Sequence, residues 1–288
     1  IFIGYIIDQK TLNYIKEKQP NIKFISMQCG NQFVENSIRT VHNYDKVQYL
    51  NAPLLGLDSI WIIPPHARHK SYMSVYYRNE SVEVVPYLWD STFVDDQLKY
   101  HNSLTKDNNS NLFNSKKVVI MEPNLSLLKN CILPLSIVES FERKYPNKLE
   151  SCTVLDSRNL VENHYFIRWL LFMDIYNKRQ GFLKVAKRRS FVNAIISYGS
   201  IVLSHQSLND LNYLYFDALY LSLPLIHNSR PLSEYGYYYH ENDIDQAVNQ
   251  LEIASNNHLH NIDYYKKKVS ILLKSYSPYN QKNIKVYA

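Results

Sequence analysis

Residues 201–226 read IVLSHQSLNDLNYLYFDALYLSLPLI, which is the most informative segment of the chain. An apolar run is followed by a polar loop, then by an apolar pattern with helical spacing, and then by Pro224 and a second apolar run. This order predicts a strand at 201–204, a helix at about 211–221 and a strand at 225–227. A strand, a crossover helix and a second strand form the unit of a parallel α/β sheet.

The same alternation extends through the rest of the chain. A polar stretch at 101–115, HNSLTKDNNSNLFNS, has no apolar period and is interpreted as a linker. Before it, the sequence predicts strands at 1–7, 22–27, 60–63 and 82–85, and a helix at 66–78. After it, the further predictions are strands at 116–121 and 152–155, and helices at 125–143, 159–174 and 243–254.

Two domains of this kind are expected in a chain of 288 residues. We predict an α/β fold with two Rossmann-like, doubly wound domains, at 1–113 and 114–262. The remaining segment, 263–288, is expected to be a helix or tail that packs back toward the first domain. Ligands of doubly wound domains bind beyond the carboxyl ends of the strands.

Composition excludes several classes of protein. Hydrophobic residues make up 45% and charged residues 20%, as in soluble globular proteins, and no apolar run is long enough to span a membrane. Three widely spaced cysteines favour neither a disulfide framework nor a zinc site, and the histidine spacings predict no metal site. The net charge of +6 fits either a polyanionic partner or an ordinary basic protein.

Motifs of common nucleotide-dependent and hydrolytic enzymes are absent from the sequence. There is no Walker loop, no Gly-x-Gly-x-x-Gly and no Gly-x-Ser-x-Gly elbow. Kinase, dehydrogenase and α/β-hydrolase activities are therefore not favoured.

The segment at 205–226 resembles the donor-binding signature of GT-B glycosyltransferases. In that family an acidic residue opens a polar loop, a Glu follows eight positions later, and a Gly-x-Pro turn comes next. Asn209 occupies the first acidic position, which touches the donor sugar, and Asp217 the second, whose carboxylate binds the ribose hydroxyls. The departures are Asn209 in place of an acid, a loop without Gly, and Leu221–Ser222 before Pro224.

Further donor contacts follow from the same resemblance and from the chemistry of a diphosphate. The backbone N–H groups of Asp210, Leu211 and Asn212 would face the diphosphate, because N–H donors at a helix N-terminus bind anions. Lys129 and Ser126 lie where GT-B enzymes open the second domain with a phosphate-neutralising lysine. The remaining donor candidates are His205 and Arg230, which border the same crevice.

The motifs also resemble a narrower family of glycosyltransferase-like proteins from bacteria and phages. The matching segments are 122–126 (EPNLS), 204–206 (SHQ), 211–219 (LNYLYFDAL), 224–229 (PLIHNS) and 236–239 (GYYY). They cover most of the second domain, whereas in the first domain only the segment 28–31 (QCGN) is similar to this family. This resemblance implies glycosyl transfer without identifying the acceptor.

The first domain is expected to bind the acceptor and to supply a base that deprotonates its hydroxyl. Candidates for this base are Asp8, His42, Asp58 and Asp90, which the sequence does not rank. The predicted acceptor-binding residues are Arg68, Lys70 and Tyr72, since cations interleaved with aromatic rings suit an acidic polymer. The basic runs at 187–189 and 266–268 are interpreted as solvated helix faces.

These observations predict a transferase that moves a sugar from a nucleotide-sugar, with a UDP-sugar favoured, to a hydroxyl group. One acceptor is a 5-hydroxymethyl-pyrimidine such as 5-hydroxymethylcytosine in phage DNA, and the alternative is a bacterial surface glycan. A third hypothesis is an inactive nucleotide-binding protein. No metal or other cofactor is expected. We also predict that the protein is a cytoplasmic monomer without a membrane span. DNA is predicted as a further partner.

Overall fold

The chain divides into two compact units, each built on one parallel sheet. The structure, a computed structural model, describes residues 2–3, 7–42, 53–101 and 115–287. Unit 1 comprises Ile1–Leu88 and Pro278–Ala288, and unit 2 comprises Trp89–Ser277. The predicted α/β fold with two parallel sheets is thereby confirmed.

Unit 1 holds a four-stranded parallel sheet in the order β1-β2-β3-β4. Its elements in chain order are β1 (Phe2–Ile3), α1 (Gln9–Lys18), β2 (Ile25–Gln28), α2 (Gln32–His42), β3 (Ser59–Ile62), a 3-10 turn (Pro64–His69), α3 (Lys70–Tyr77), β4 (Val82–Val84) and the C-terminal helix (Gln281–Tyr287). The core of the unit is apolar and includes Leu12, Phe24, Ile60 and Met73, all nearly inaccessible to solvent.

Unit 2 holds a six-stranded parallel sheet in the order β10-β9-β8-β5-β6-β7. Its strands are β5 (Lys117–Ile120), β6 (Ser151–Val154), β7 (Leu183–Val185), β8 (Ile201–Leu203), β9 (Leu225–His227) and β10 (Tyr237–Tyr238). Its helices are α4 (Thr92–Lys99), α5 (Ile132–Lys144), α6 (Arg158–Val161), α7 (His164–Leu170), α8 (Asp174–Asn177), α9 (Phe191–Tyr198), α10 (Tyr213–Tyr220), α11 (Ile244–Asn257) and α12 (Ile262–Tyr276).

The central strands of unit 2 explain why their sequences are apolar without interruption. Val118, Val119 and Ile120 of β5 are fully buried, because helices cover both faces of the sheet. From β5 the chain adds β6 and β7 on one side, and then returns to place β8 on the other. The sheet therefore has a topological switch point between β5 and β8, where ligands of doubly wound domains bind.

Several elements differ from the predictions. Residues 124–131 form a loop and α5 begins only at Ile132, after Asn124 enters the left-handed region at φ 54° and its Oδ1 accepts from the backbone N–H of Cys131 at 2.8 Å. The predicted helix at 159–174 consists of three short helices, α6, α7 and α8. The sequence patterns predicted neither the strands β7 and β10 nor the helices α1, α2, α4 and α9. The predicted helix at 66–78 starts as a 3-10 turn.

The predicted domain boundary at 113–114 lies outside the described residues. The compact units divide the chain at Leu88 and Trp89, so that α4 belongs to unit 2. The C-terminal tail is divided as well. Helix α12 belongs to unit 2, whereas the C-terminal helix belongs to unit 1, where the hydroxyl of Tyr287 donates to the carbonyl of Pro86 at 2.5 Å. Of the described helices, none has the length and apolarity that crossing a membrane requires.

Gly199 connects α9 to β8 in a conformation that tolerates no side chain. Its φ is 142°, and a Cβ at this position would approach the carbonyl oxygen of Lys117 to 2.5 Å. Gly199→Ala is therefore expected to lower the free energy of unfolding by about 3 kcal/mol, as measured by urea denaturation.

Gly181→Ala is the matched control for this substitution. Gly181 also has a positive φ of 76°, but a Cβ there meets nothing within 4 Å. Its cost should be near 1 kcal/mol. Equal losses for the two variants would contradict the proposed steric clash in unit 2.

Candidate functional site

The loops that follow β5 and β8 are joined at the carboxyl edge of the unit 2 sheet. Lys129 and Gln206 form an isolated antiparallel bridge, and the N–H of Ser207 donates to the carbonyl of Leu128 at 2.9 Å. The side chain of Asn228, which follows β9, bonds both backbone groups of Gln206 at 2.9 and 3.0 Å. Three neighbouring strand ends are therefore tied into one framework.

A cavity of about 220 Å³ opens at this edge of the sheet. Three of the predicted donor-binding residues, Lys129, Asn212 and Asp217, line it together. The other lining residues are Met121, Pro123, Leu155, Asp156, Arg188, Arg189, Phe191 and Leu214. The cavity thus combines apolar walls with carboxylates and cations, as a nucleotide requires.

Asp217 lies on α10, where burial and a hydrogen bond from Trp89 determine the pKa of its carboxyl group. Trp89 Nε1 donates to Asp217 Oδ1 at 2.8 Å. Burial raises the pKa of Asp217 to about 6, and the Trp89 hydrogen bond opposes this rise because it favours the carboxylate. Asp217 is therefore mostly ionised at neutral pH and can accept hydrogen bonds from a diol.

The polar loop before α10 is held by a helix cap, by a hydrogen bond from the segment after β9 and by one buried side chain. Asn212 is the N-cap of α10, and its Oδ1 accepts from the N–H of Leu214 at 3.3 Å. Ser229 donates to the carbonyl of Asp210 at 2.5 Å. Leu211 is buried and anchors the loop in the core.

His205 and Asn209 lie beneath the loop, where both are buried. His205 Nδ1 is 3.0 Å from the hydroxyl of Tyr239, and burial lowers the pKa of this histidine to about 4, so that it is neutral. Asn209 Nδ2 donates to Gln206 Oε1 at 2.9 Å, while Asn209 Oδ1 and Gln206 Nε2 are buried without a hydrogen-bond partner among the described residues.

The cations of the cavity include two that the sequence analysis interpreted otherwise. Residues 187–189 were predicted to lie on a solvated helix face, but they lie between β7 and α9, where Arg188 and Arg189 line the cavity. Arg188 is 3.9 Å from Asp156, which follows β6. Arg189 Nε donates to the Tyr198 hydroxyl at 3.1 Å. Because β7 was not predicted, the sequence did not indicate that Arg188 and Arg189 follow the end of a strand.

Six of the nine predicted donor residues do not line the cavity. Four of them belong to the segment after β8 described above, His205, Asn209, Asp210 and Leu211, and the other two are Ser126 and Arg230. Ser126 lies in the loop after β5, where its hydroxyl accepts from the N–H of Leu128 at 3.3 Å. Arg230 is exposed at the start of a 3-10 turn. Both remain predictions as donor contacts.

The candidate bases have structural partners where their side chains are described. Asp8 is the N-cap of α1, and its carboxylate accepts from Thr11, which lowers its pKa. Asp58 accepts from the N–H of Phe24 at 2.7 Å, and its pKa is lowered too. Asp90 accepts from Thr92 and belongs to unit 2, although it was predicted in the first domain. The side chain of His42 lies outside the described residues.

The predicted acceptor residues of unit 1 surround a cluster of aromatic rings. The rings of Phe33 and His69 are stacked with centroids 5.1 Å apart, and Tyr72 packs edge-on against Phe33 at 5.0 Å. Arg68 and Lys70 are exposed beside these rings. Because α2 and the 3-10 turn follow β2 and β3, the aromatic cluster lies at the carboxyl edge of its own sheet.

A larger cavity, of about 630 Å³, lies between α5 and the start of α11. It contains none of the predicted site residues. Its Arg143 is already paired with Glu139 at 2.7 Å and with Asp174 at 3.8 Å. Among the residues that the structure describes, no cluster of three or more potential metal ligands occurs. The smaller cavity is therefore the candidate site.

Comparison with known proteins places the chain in a family. The family profile described as "Protein of unknown function (DUF2827)" matches residues 1–288. No curated protein matches the sequence. A narrower phage grouping is not confirmed.

Solved structures of GT-B glycosyltransferases resemble the chain. TarM from S. aureus, solved with fondaparinux, α-GlcNAc-glycerol and UDP, has a TM-score of 0.60 and 8% identity over 96% of this chain and 52% of its own. The α,α-trehalose 6-phosphate synthase of Burkholderia multivorans has a TM-score of 0.60 and 11% identity, over 97% of this chain and 73% of its own.

HepE of Anabaena, solved with UDP and glucose, gives a TM-score of 0.58 and 11% identity, over 97% of this chain and 75% of its own. The chain thus spans about half the length of TarM. These likenesses confirm the predicted GT-B fold.

The hydrogen bond from Trp89 should be detectable in the titration of Asp217. Trp89→Phe removes the N–H donor that favours the carboxylate, so the pKa of Asp217 should rise above about 6, as measured by NMR of the ¹³C-labelled carboxyl group. Trp169→Phe is the control, because Trp169 lies on the larger cavity. An unchanged pKa in Trp89→Phe would contradict the assigned contact.

Proposed function

We propose that this chain, which belongs to the DUF2827 family, is a nucleotide-sugar-dependent glycosyltransferase that binds its donor in the 220 Å³ cavity of unit 2. The observation that carries this proposal is the convergence of Lys129, Asn212 and Asp217 on one cavity. These residues come from segments almost ninety positions apart, and the resemblance to GT-B enzymes predicted all three as donor contacts.

Each part of the donor has a matching group in the cavity. Asp217 accepts hydrogen bonds from the ribose hydroxyls, since a carboxylate matches a diol. The nucleobase packs against the apolar walls, which include Leu155 and Phe191. Lys129 and the N-terminus of α10 attract the diphosphate. UDP, which is present in the TarM and HepE structures, supports a UDP-sugar as the donor.

The chemistry of transfer fits this distribution of charge. The bond between the sugar and the diphosphate breaks through an oxocarbenium-like transition state, and negative charge develops on the leaving diphosphate. Lys129, Arg188 and Arg189 supply the positive charge that stabilises this group. We therefore expect transfer without a metal cofactor. Asn209 remains the predicted contact of the donor sugar.

For the acceptor we propose unit 1 as the binding region. The aromatic cluster of Phe33, His69 and Tyr72, with Arg68 and Lys70 beside it, offers stacking surfaces and positive charge. A 5-hydroxymethyl-pyrimidine of phage DNA fits these features, because bases stack on rings and phosphates pair with cations. A surface glycan is the alternative acceptor. An inactive nucleotide-binding protein is the alternative outside the enzyme class.

Donor binding should depend on the carboxylate of Asp217. Asp217→Asn removes the charge that strengthens the ribose hydrogen bonds, so the Kd for UDP-glucose should rise by about 10- to 100-fold in calorimetry. Asp263→Asn, at an exposed position of α12, is the matched control and should bind as the wild type does. Equal affinity of the two variants would remove Asp217 from the site.

Transfer assays separate the possible acceptors. With labelled donor sugar, DNA containing 5-hydroxymethylcytosine should become labelled, and unmodified DNA of the same sequence should not. The double variant Arg68→Ala/Lys70→Ala should weaken DNA binding and lower the slope of log affinity against log salt by about 2. Labelling of oligosaccharides alone would favour the glycan acceptor. Binding of donor without any transfer or hydrolysis would favour the inactive protein.

A further inference from the structure

A carboxyl group is buried between two residues, Met121 and Pro123, that line the candidate donor cavity. Glu122 follows β5 and its side chain is inaccessible to solvent. The carboxyl group accepts hydrogen bonds from the hydroxyl of Ser204 and from the N–H of His205. The second oxygen, Oε2, has no hydrogen-bond partner among the described residues. Glu122 is thus a deeply buried acid that is only partly satisfied.

The titratable groups facing Glu122 come from three segments of unit 2. They are Lys129 and Cys131 of the loop after β5, Tyr215 of α10 and Tyr239 after β10. Burial raises the pKa of the thiol and of both phenols far above neutrality, and the adjacent His205 has a pKa of about 4. Lys129 is consequently the one charged group acting on Glu122 near pH 7 within this set.

Lys129 also lines the donor cavity, so it is shared between the cavity and the buried carboxyl. Burial raises the pKa of Glu122 to about 7, while the ammonium group of Lys129 opposes this rise. An anion placed against Lys129 would offset its charge and add a negative charge near Glu122. Both effects disfavour the carboxylate form of Glu122.

We infer that Glu122 takes up a proton from solvent when the diphosphate of the donor binds against Lys129, so that donor binding and protonation of this buried carboxyl are coupled. The inference rests on the proposed function. Because the coupling is reciprocal, the protonated protein binds the donor more tightly than the ionised protein. The coupling to Glu122 makes donor affinity fall as the pH rises through about 7. Below about pH 6 the protonation of Asp217 opposes this trend.

Asp217, a carboxyl group that lines the cavity and also has a raised pKa, does not produce proton uptake on donor binding. Asp217 has a pKa of about 6 and is largely ionised at pH 7.5. Hydrogen bonds from ribose would favour its carboxylate further, which releases protons and has the opposite sign. UDP-glucose is the chosen probe because its diphosphate diester has no group that titrates near neutrality.

Calorimetric titration of the full chain with UDP-glucose at pH 7.5 measures the proton uptake directly. The observed heat depends on the ionisation enthalpy of the buffer in proportion to the protons exchanged, so HEPES and Tris are compared. We expect net uptake of about half a proton for each donor bound. The affinity should also fall severalfold between about pH 6.5 and about pH 8.5.

Two variants assign the proton to its site. Glu122→Gln cannot titrate at this position, so at pH 7.5 its binding heat should be the same in both buffers, and its affinity should no longer fall as the pH rises across this range. Glu139→Gln, which alters a buried carboxyl outside the donor cavity, should keep the uptake of the wild type. Should Glu122→Gln fail to fold, Lys129→Met provides the second test, with weaker binding and reduced uptake.

The outcomes are distinguishable. Donor binding by the wild type with equal heats in both buffers would overturn the coupling and leave the proposed function intact. Proton uptake that persists in Glu122→Gln would overturn the assignment to Glu122. Absence of binding for UDP-glucose and for other nucleotide-sugars would overturn the proposed function, and the inference with it.

Discussion

The hydrogen bonds that converge on the carboxyl group of Glu122 hold together the two loops on which the candidate site depends. Glu122 follows β5, the first strand of the unit 2 sheet, while Ser204 and His205 follow β8, and Ser204 is 82 positions from Glu122 along the chain. A buried carboxyl without partners costs several kcal/mol, so its donors must stay in place. This constraint fixes β5 and β8 as neighbours at the switch point and keeps the Lys129–Gln206 bridge in register.

Glu122 and Asp217 lie at the same edge of the sheet, and their different surroundings give the two carboxyl groups different pKa values. Glu122 is sealed in the interior and has a pKa of about 7. Asp217 is partly buried and receives one hydrogen bond, which leaves its pKa at about 6. Asp156 lies beside Arg188 at the rim. The acid that is deepest is thus the one most readily neutral, whereas Asp217 keeps the charge that binding a diol requires.

The sequence predicted those parts of the fold that are determined locally. Strands β5, β8 and β9 are buried on both faces, so their apolar runs are continuous and visible. The predicted helix at 243–254 begins at its N-cap, Asp243, whose side chain accepts from the N–H of Gln246 at 2.8 Å. Strand β7 is short, and two of its three residues are exposed at the sheet edge, so it carries no apolar signal. Missing β7 led to the wrong interpretation of Arg188 and Arg189.

The remaining features of the site depend on contacts between distant parts of the chain. Trp89 reaches Asp217 across 128 positions, and no local pattern indicates this pairing. In the sequence Glu122 is only the first residue of the segment 122–126 (EPNLS). Its burial, which the sequence does not show, is what distinguishes it as a titratable group. Lys129 was predicted on a helix and is instead held in a loop, yet it reaches the cavity. A backbone bridge to Gln206, rather than helix periodicity, sets the position of Lys129. The same backbone therefore links the cation that we propose for the diphosphate to the buried acid Glu122.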